Sequence, residues 1–396
     1  MSKMYLTAPS IGDEDGRTRI AADFHIDERV INIWFKTKSQ PINEKLAQAA
    51  FLAAVLIPAM RIGGSLRVEK PIPDRLMQSV KAVQKVFNKW YPKFSFIDIV
   101  ADTTSQKTPP VAPRAAQFFS GGVDSFYTLL ENFDEIEDLY HVRGFDIFLE
   151  DTERLDTATT IVKNGAEAFG KNFLEIETNI HDFSKEFAQW PNHYHGSAMT
   201  AMAMLMSARN PRFYFAATHS YADMFPWGSH PLLDCLWNND DLEIVHHGAE
   251  ATRLQKVYRI VREPEVLKHL NIGQIQGILP RNHKPGEKVL RTLIALDLAG
   301  VLDQAETFEY KLKLKDVRDI KIIGPNSLSF VMENYRELLT RPDKVPLRNA
   351  LRVAIQRYHH QVLARGLARH AKSFRASPHF EELKKLFGLT EARSEE

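Results

Sequence analysis

Six consecutive residues, Ser120-Gly121-Gly122-Val123-Asp124-Ser125, have the types and spacing to hold a polyphosphate. Two glycines let backbone N–H groups approach an anion with no Cβ in the way. Ser120 and Ser125 add hydroxyl donors, and Asp124 supplies a hard oxygen suited to a Mg²⁺ that bridges phosphates. The segment follows the run Gln117-Phe118-Phe119, and Phe126, Leu129, Leu130 and Phe133 then recur at helical spacing. Strand, glycine turn and helix N-terminus together make an anion site, the helix end adding positive partial charge. A Walker A loop needs Gly-Lys-Ser/Thr after four spacers and a dinucleotide fingerprint needs Gly-x-Gly-x-x-Gly; neither is present. A serine-capped glycine turn is the plain structural alternative, and the added Asp-Ser weighs against it.

Four further groups are candidates. Gly144-Phe145-Asp146 ends the second strand of the same pattern, where ligands of open α/β sheets sit, although a simple turn accounts for it as well. Thr218-His219-Ser220-Tyr221-Ala222-Asp223, continuing through Pro226-Trp227-Gly228-Ser229-His230-Pro231, is a polar and aromatic loop of the kind that forms acceptor pockets. His219 and Asp223 are its leading catalytic candidates. Thr252 starts a helix carrying Arg253, Lys256 and Arg259, cations able to neutralise a departing anion, with a solvated basic face as the alternative. Lys256 is read as catalytic and Arg253 as nucleotide-binding. Six histidines, His193, His195, His219, His230, His246 and His247, crowd one stretch, but no pair has the spacing of a known zinc motif.

The elements that must position these groups alternate. From residue 115 onward, strands near 115–119, 139–148, 173–177, 212–218 and 242–246 alternate with helices near 124–132, 153–169, 196–209 and 252–261. That rhythm predicts a parallel sheet. Residues 1–101 read as a small α+β domain, with a strand at 30–35, an apolar helix from Asn43, a strand at 66–68, a helix over 73–90 and a strand over 94–100. A linker is expected over 102–114, where prolines and threonines cluster. The nucleotide-binding domain is assigned to 115–300 and a mostly helical region to 301–396. Within that region Phe308, Tyr310, Leu312 and Leu314 alternate with charges as in an edge strand. No acidic residue lies between Lys344 and Phe380, where a helix carrying Arg348, Arg352, Arg357, Arg365 and Arg369 is expected.

With 396 residues, 44% hydrophobic and 26% charged, the chain has the composition of a folded globular protein of more than one domain. A formal net charge of +1 gives no electrostatic hint of a partner. The single cysteine, Cys235, excludes an internal disulfide framework and fits a reducing compartment. The apolar run of residues 49–60 reads as a buried helix, too short for a membrane span. The first twenty residues lack the apolar centre of a signal peptide, so a cytoplasmic location is expected.

The Ser-Gly-Gly-x-Asp-Ser signature resembles that of the PP-loop ATP pyrophosphatases, the adenine-nucleotide α-hydrolase-like superfamily, nearest its 7-cyano-7-deazaguanine synthase-like branch. The resemblance covers about 115–300. It implies a five-stranded parallel sheet of HUP/PP-loop type, with ATP at the strand ends, adenine at Gly144-Phe145-Asp146, and cleavage between the α- and β-phosphates. It casts Ser120 to Ser125 as the pyrophosphate cradle and Asp124 as the Mg²⁺ ligand. One departure concerns the branch's zinc-binding cluster, Asn-Cys-Gly-x-Cys-x-x-Cys-x-Arg-Thr. Here the stretch reads Asn282-His283-Lys284-Pro285-Gly286-Glu287-Lys288-Val289-Leu290-Arg291-Thr292. His283, Gly286 and Val289 stand where the thiolates would be, so no structural zinc is expected.

The expected activity is therefore an AMP- and pyrophosphate-forming synthetase that adenylates a carboxylate or carbonyl of a small molecule or peptide. A tRNA-modifying enzyme of the same superfamily and a non-catalytic ATP-binding module are the rivals. ATP and Mg²⁺ are the expected ligands, a homo-oligomer is compatible with the sequence, and neither nucleic acid nor membrane is an expected partner.

Overall fold

A computed structural model of the chain describes residues 2–38, 40–105, 114–272, 285–307 and 310–375, with side chains through Gly366. Two compact units divide it, Met1–His283 with Ala295–Tyr310, and Lys284–Ile294 with Lys311–Glu396.

The first unit is α/β and is organised by an 11-stranded mixed sheet. Its amino-terminal strands are β1 (Lys3–Leu6), β2 (Ser10–Glu14), β3 (Arg17–Ile26), β4 (Arg29–Thr37) and β5 (Ser65–Val68). β6 (Ile72–Pro73) pairs only with β8 (Thr103–Thr104), while β7 (Asp98–Val100) extends the sheet beyond β5. The remaining strands are β9 (Ala115–Phe118), β10 (Ile136–Arg143), β11 (Asn172–Thr178), β12 (Arg212–Ala216) and β13 (Glu243–His247). These five pair in parallel in the order β13-β12-β9-β10-β11.

The expected five-stranded sheet needs one correction. β11 is not an edge, because it pairs antiparallel with β4 and so joins the parallel strands to the amino-terminal ones. Side chains lock the junction. The Thr178 hydroxyl donates to Trp34 O at 2.7 Å, the Thr37 hydroxyl to Glu175 O at 3.1 Å, and Arg17 pairs with Glu175 and Glu177. The pairing removes an open row of backbone donors and acceptors that a parallel edge would expose.

Helices cover both faces. α1 (Glu44–Ile62) is apolar all round and buried over most of its length, although its length and composition would also suit a membrane span. Asn43 caps it by accepting from Leu46 N. α2 (Asp74–Trp90) lies beside it. α1 packs on α6 (His195–Met206), and both share one core with Ala116, Tyr140, Phe213 and Phe215 of the parallel strands. α3 (Val123–Glu131) and α4 (Thr152–Ala168) lie on the other face, where Phe126 meets Phe119 edge-on at 5.0 Å. α5 (Ile180–Ser184), α7 (Pro231–Asp234), α8 (Arg253–Ile260) and α9 (Pro264–His269) complete that part of the chain.

α10 (Glu287–Leu298) starts in the second unit and ends in the first; α11 (Leu314–Arg318), α12 (Gly324–Leu339) and α13 (Val345–Arg375) belong to the second. The edge strand expected near 308–315 is corrected: residues 310–313 form no strand and Leu314 opens a helix, while Phe308 lies outside the described residues. Val317 is buried and Leu314 exposed, so the helix packs inward through Val317 rather than through the residues that alternate before it. The strand expected over 94–100 shortens to β7, because Phe94 is drawn into the core against Phe87 at 5.0 Å.

Candidate functional site

The order β13-β12-β9-β10-β11 reverses direction at β9, since the chain runs from β9 to β10 on one side and returns to β12 on the other. In such sheets the crevice beyond the carboxyl ends at the reversal is the ligand site. β9 ends at Phe118, so the Ser120 turn lies at that reversal, as does Ala217 after β12.

The local chemistry explains the turn. Gly121 has φ +68°, a left-handed conformation that favours glycine, and a Cβ there would stand 3.2 Å from the Asn271 Cβ. The Ser125 hydroxyl donates to Gly122 O at 3.0 Å, and Gln117 Nε2 donates to Ser125 O at 2.9 Å. The hydroxyls of Ser120 and Ser125 lie 3.5 Å apart. Among the described residues, the N–H groups of Gly121 and Gly122 donate to no protein acceptor. They are the first donors at the mouth of α3.

α8 brings two cations to this turn. A capping box fixes its first turn: Thr252 Oγ1 accepts from Gln255 N, and Gln255 Oε1 accepts from Thr252 N. Arg253 and Lys256, three apart, then share a face. Arg253 Nη1 lies 2.5 Å from Asp124 Oδ2, and Lys256 Nζ lies 3.4 Å from Asp124 Oδ1 and 2.6 Å from Ala217 O. One helical turn on, Arg259 reaches Glu131 at 2.6 Å, clasping α8 to α3. The Lys256 side chain is only 1% exposed, and burial pushes its ammonium down from the ordinary lysine range while Asp124 pulls it back up. The carboxylate itself keeps 20% of its surface. The cluster is thus a buried pair of cations on one partly open anion, beside unused backbone donors.

The other candidates are distributed around this centre. Gly144 (φ +92°) turns the chain out of β10, with Thr178 O pressed so close that no Cβ fits. Phe145 packs edge-on to Trp190 at 4.7 Å, and its carbonyl oxygen bonds to His181 Nδ1. Trp190 opens a π-helical turn, Trp190–Tyr194, that leads into α6. His219 lies two residues past Ala217, buried between the rings of Phe225 at 4.5 Å and Trp227 at 5.2 Å. Asp223 closes the 3-10 turn Tyr221–Asp223 and accepts from the Ser220 hydroxyl at 3.4 Å. His219 therefore sits in an aromatic pocket, while Asp223 sits on a more open turn.

The crowded histidines have separate tasks. His193 packs among Phe87, Tyr91 and Phe94, and burial pushes its imidazole down to about 4. His246 and the Ser229 hydroxyl both meet Asp234 Oδ2, at 2.8 and 2.7 Å. His247 faces Thr128 at 3.2 Å, and His230 meets the Trp90 ring at 4.8 Å. No group of three or more metal-binding side chains is found among the described residues. Asn282, His283 and Lys284 lie outside them, whereas Gly286 precedes α10 and Val289 is buried within it. In the second unit Arg357 donates to Ile320 O at 2.7 Å, so one guanidinium of the basic stretch serves packing.

Asn271 has no signature in the sequence. Its backbone N–H donates to Gly121 O at 2.7 Å and its Nδ2 to Ser120 O at 3.2 Å, from 151 residues downstream in the chain. It follows α9 with no motif around it, and only the fold brings it to the turn. Comparison with known proteins gives no matching family model, no matching curated protein and no matching solved structure.

Proposed function

We propose that the chain is an ATP-dependent synthetase of the PP-loop type, forming AMP and pyrophosphate and adenylating a carboxylate or carbonyl oxygen of a small molecule or peptide. The observation that carries this reading is the glycine turn at the strand reversal, whose N–H groups meet no protein acceptor among the described residues and whose Asp124 holds the buried Arg253 and Lys256. Backbone donors and buried cations stabilise charge that develops on a leaving polyphosphate, and in a water-poor site they act without reorganising.

In this reading Gly121, Gly122, Val123 and the two serines bind the β- and γ-phosphates. The acceptor oxygen attacks the α-phosphorus, the bond to the bridging oxygen breaks, and pyrophosphate departs into the cradle. Arg253 and Lys256 move from Asp124 toward the departing oxygens. Bound Mg²⁺ would supply charge across the phosphate oxygens, and the partly exposed Asp124 carboxylate, with Ser120 and Ser125 near it, is a fitting hard-oxygen set. A nitrogen or sulfur nucleophile then displaces AMP. Gly144-Phe145-Asp146 is assigned to the adenine side, and His219 and Asp223 to the acceptor side. A cytoplasmic enzyme is the corresponding location.

The test is acceptor-dependent exchange of labelled pyrophosphate into ATP, which reports reversible adenylate formation. Exchange that appears with an acceptor and disappears in Asp124→Ala supports the reading. Turnover with no exchange under any acceptor that drives ATP consumption counts against it.

A further inference from the structure

We infer that Asn271 is a positioning residue that aims the phosphate-binding amides of the glycine turn. The inference rests on the phosphate-binding reading and deepens it.

In a trans peptide, C=O and N–H point in opposite directions within one plane. The plane joining Ser120 and Gly121 carries Ser120 O and Gly121 N–H; the next carries Gly121 O and Gly122 N–H. Asn271 takes both carbonyls, Ser120 O with its side-chain amide and Gly121 O with its backbone N–H. With both oxygens drawn to Asn271, both N–H groups must face the opposite side. Neither meets a protein acceptor among the described residues.

Left alone, a Gly-Gly segment has the most backbone freedom of any pair, and either plane could flip to present its carbonyl to an incoming phosphate. A carbonyl presented there would repel the anion. Two bonds from one residue remove that choice before the ligand arrives, which is how preorganised donors act.

Asn271 is itself held. It is 7% exposed, its neighbour Leu270 is fully buried, and the Thr307 hydroxyl donates to Leu270 O at 2.7 Å. His269 O lies 3.5 Å from where a Gly121 Cβ would be, so the segment lies against the turn along more than one residue. The close approach would crowd a Cβ at position 121, in addition to the strain of its positive φ.

The two Asn271 bonds can be separated. Asn271→Ala deletes the side-chain donor and keeps the backbone bond, freeing only the plane that carries Gly121 N–H. Asn271→Asp keeps the shape but sets a carboxylate oxygen against Ser120 O, driving that plane to flip. The experiment measures binding of ATP, inorganic pyrophosphate and adenosine by calorimetry, together with the melting temperature, on the full chain and both variants. Losing one neutral hydrogen bond of positioning is worth about 3- to 10-fold in affinity. Asn271→Ala should weaken ATP and pyrophosphate by about that factor and leave adenosine and the melting temperature nearly unchanged. Asn271→Asp should weaken both anions further, and the excess should shrink with added salt while the alanine effect persists.

Anion affinities within twofold of the parent in both variants overturn the inference. So does a loss that falls equally on adenosine, or one that follows the melting temperature alone. If the parent binds neither ATP nor pyrophosphate, the phosphate-binding reading fails and the inference falls with it. If the parent binds both and the variants are unaffected, only the inference fails.

Discussion

The same parallel strands carry a carboxylate held by two arginine or lysine cations at each end, and the two differ in how completely they are closed. Asp138, near the start of β10, has a fully buried side chain. Arg209 meets it at 2.7 and 3.1 Å, Arg114 at 3.2 Å, and the amides of Asn210 and Asn172 each donate to it at 2.8 Å. Burial alone would raise its carboxyl, but the Arg209, Asn210 and Asn172 hydrogen bonds outweigh that and hold it below the usual range. Asp124, at the carboxyl end beyond β9, stays 20% exposed; Arg253 and Lys256 are among its partners, and the adjacent glycine amides meet no protein acceptor among the described residues. A closed network stabilises one geometry. An open one keeps charge available for a ligand.

Exchanging the two aspartates should therefore separate stability from activity. Asp138→Ala leaves Arg209, Asn210 and Asn172 without the carboxylate they share; losing a fully buried pair costs about 3–5 kcal/mol, and the part-exposed Arg209 sets the loss toward the lower end. Chemical denaturation should show that loss, with the specific activity of whatever stays folded largely kept. Asp124→Ala should reduce turnover by about 10²- to 10³-fold, the range for a lost electrostatic group. Its stability loss should be smaller than that of Asp138→Ala, because the Asp124 side chain keeps 20% of its surface while that of Asp138 is fully buried. Equal stability losses would remove the distinction.

Lys256→Ala should lower kcat by about 10²-fold or more with ATP affinity kept within a few-fold, as expected for a group acting mainly on the departing charge. The alkaline limb of the pH–rate profile should fall at a pH below that of an ordinary lysine, since burial disfavours the ammonium, and Lys256→Arg should abolish that limb. A limb unchanged in the arginine variant would assign it elsewhere.

For the acceptor loop, alanine at His219 or Asp223 should lower kcat by about 10²-fold and leave ATP binding within a few-fold. The structure adds a contrast between them. His219 fills an aromatic pocket, so its removal should also lower the melting temperature, whereas Asp223 on its more open turn should not. Normal turnover in both variants would take the loop out of the mechanism.

The smallest expected effect is on acid stability. A folded-state carboxyl depressed below its unfolded value of about 3.9 contributes stability that is complete above that value. It is lost as pH falls through the lower folded value. The parent should therefore lose stability below about pH 4 more steeply than Asp138→Asn does. Parallel curves would show that Asp138 is not a source of acid sensitivity.

Local pattern made much of this legible. The glycine turn, the α3 periodicity and the Thr252 cap with Arg253 and Lys256 behind it are all short-range signals, and each has its counterpart in the structure. β1, β2 and β3 were not legible, because their charged and apolar residues serve a sheet whose partners lie far along the chain. The β4–β11 pairing is the same case: the Thr37 hydroxyl bonds to Glu175 O and the Thr178 hydroxyl to Trp34 O, contacts that no local window relates. Asn271 shows the limit most clearly, since its two bonds depend on tertiary placement alone.

The most direct test of the central claim is the identity of the nucleotide products. The purified chain is incubated with ATP, Mg²⁺ and candidate acceptors, and the nucleotides are separated by chromatography alongside an assay for pyrophosphate. AMP and pyrophosphate should appear in equal amounts and be lost in Asp124→Ala. ADP and free phosphate as the only products would contradict that claim.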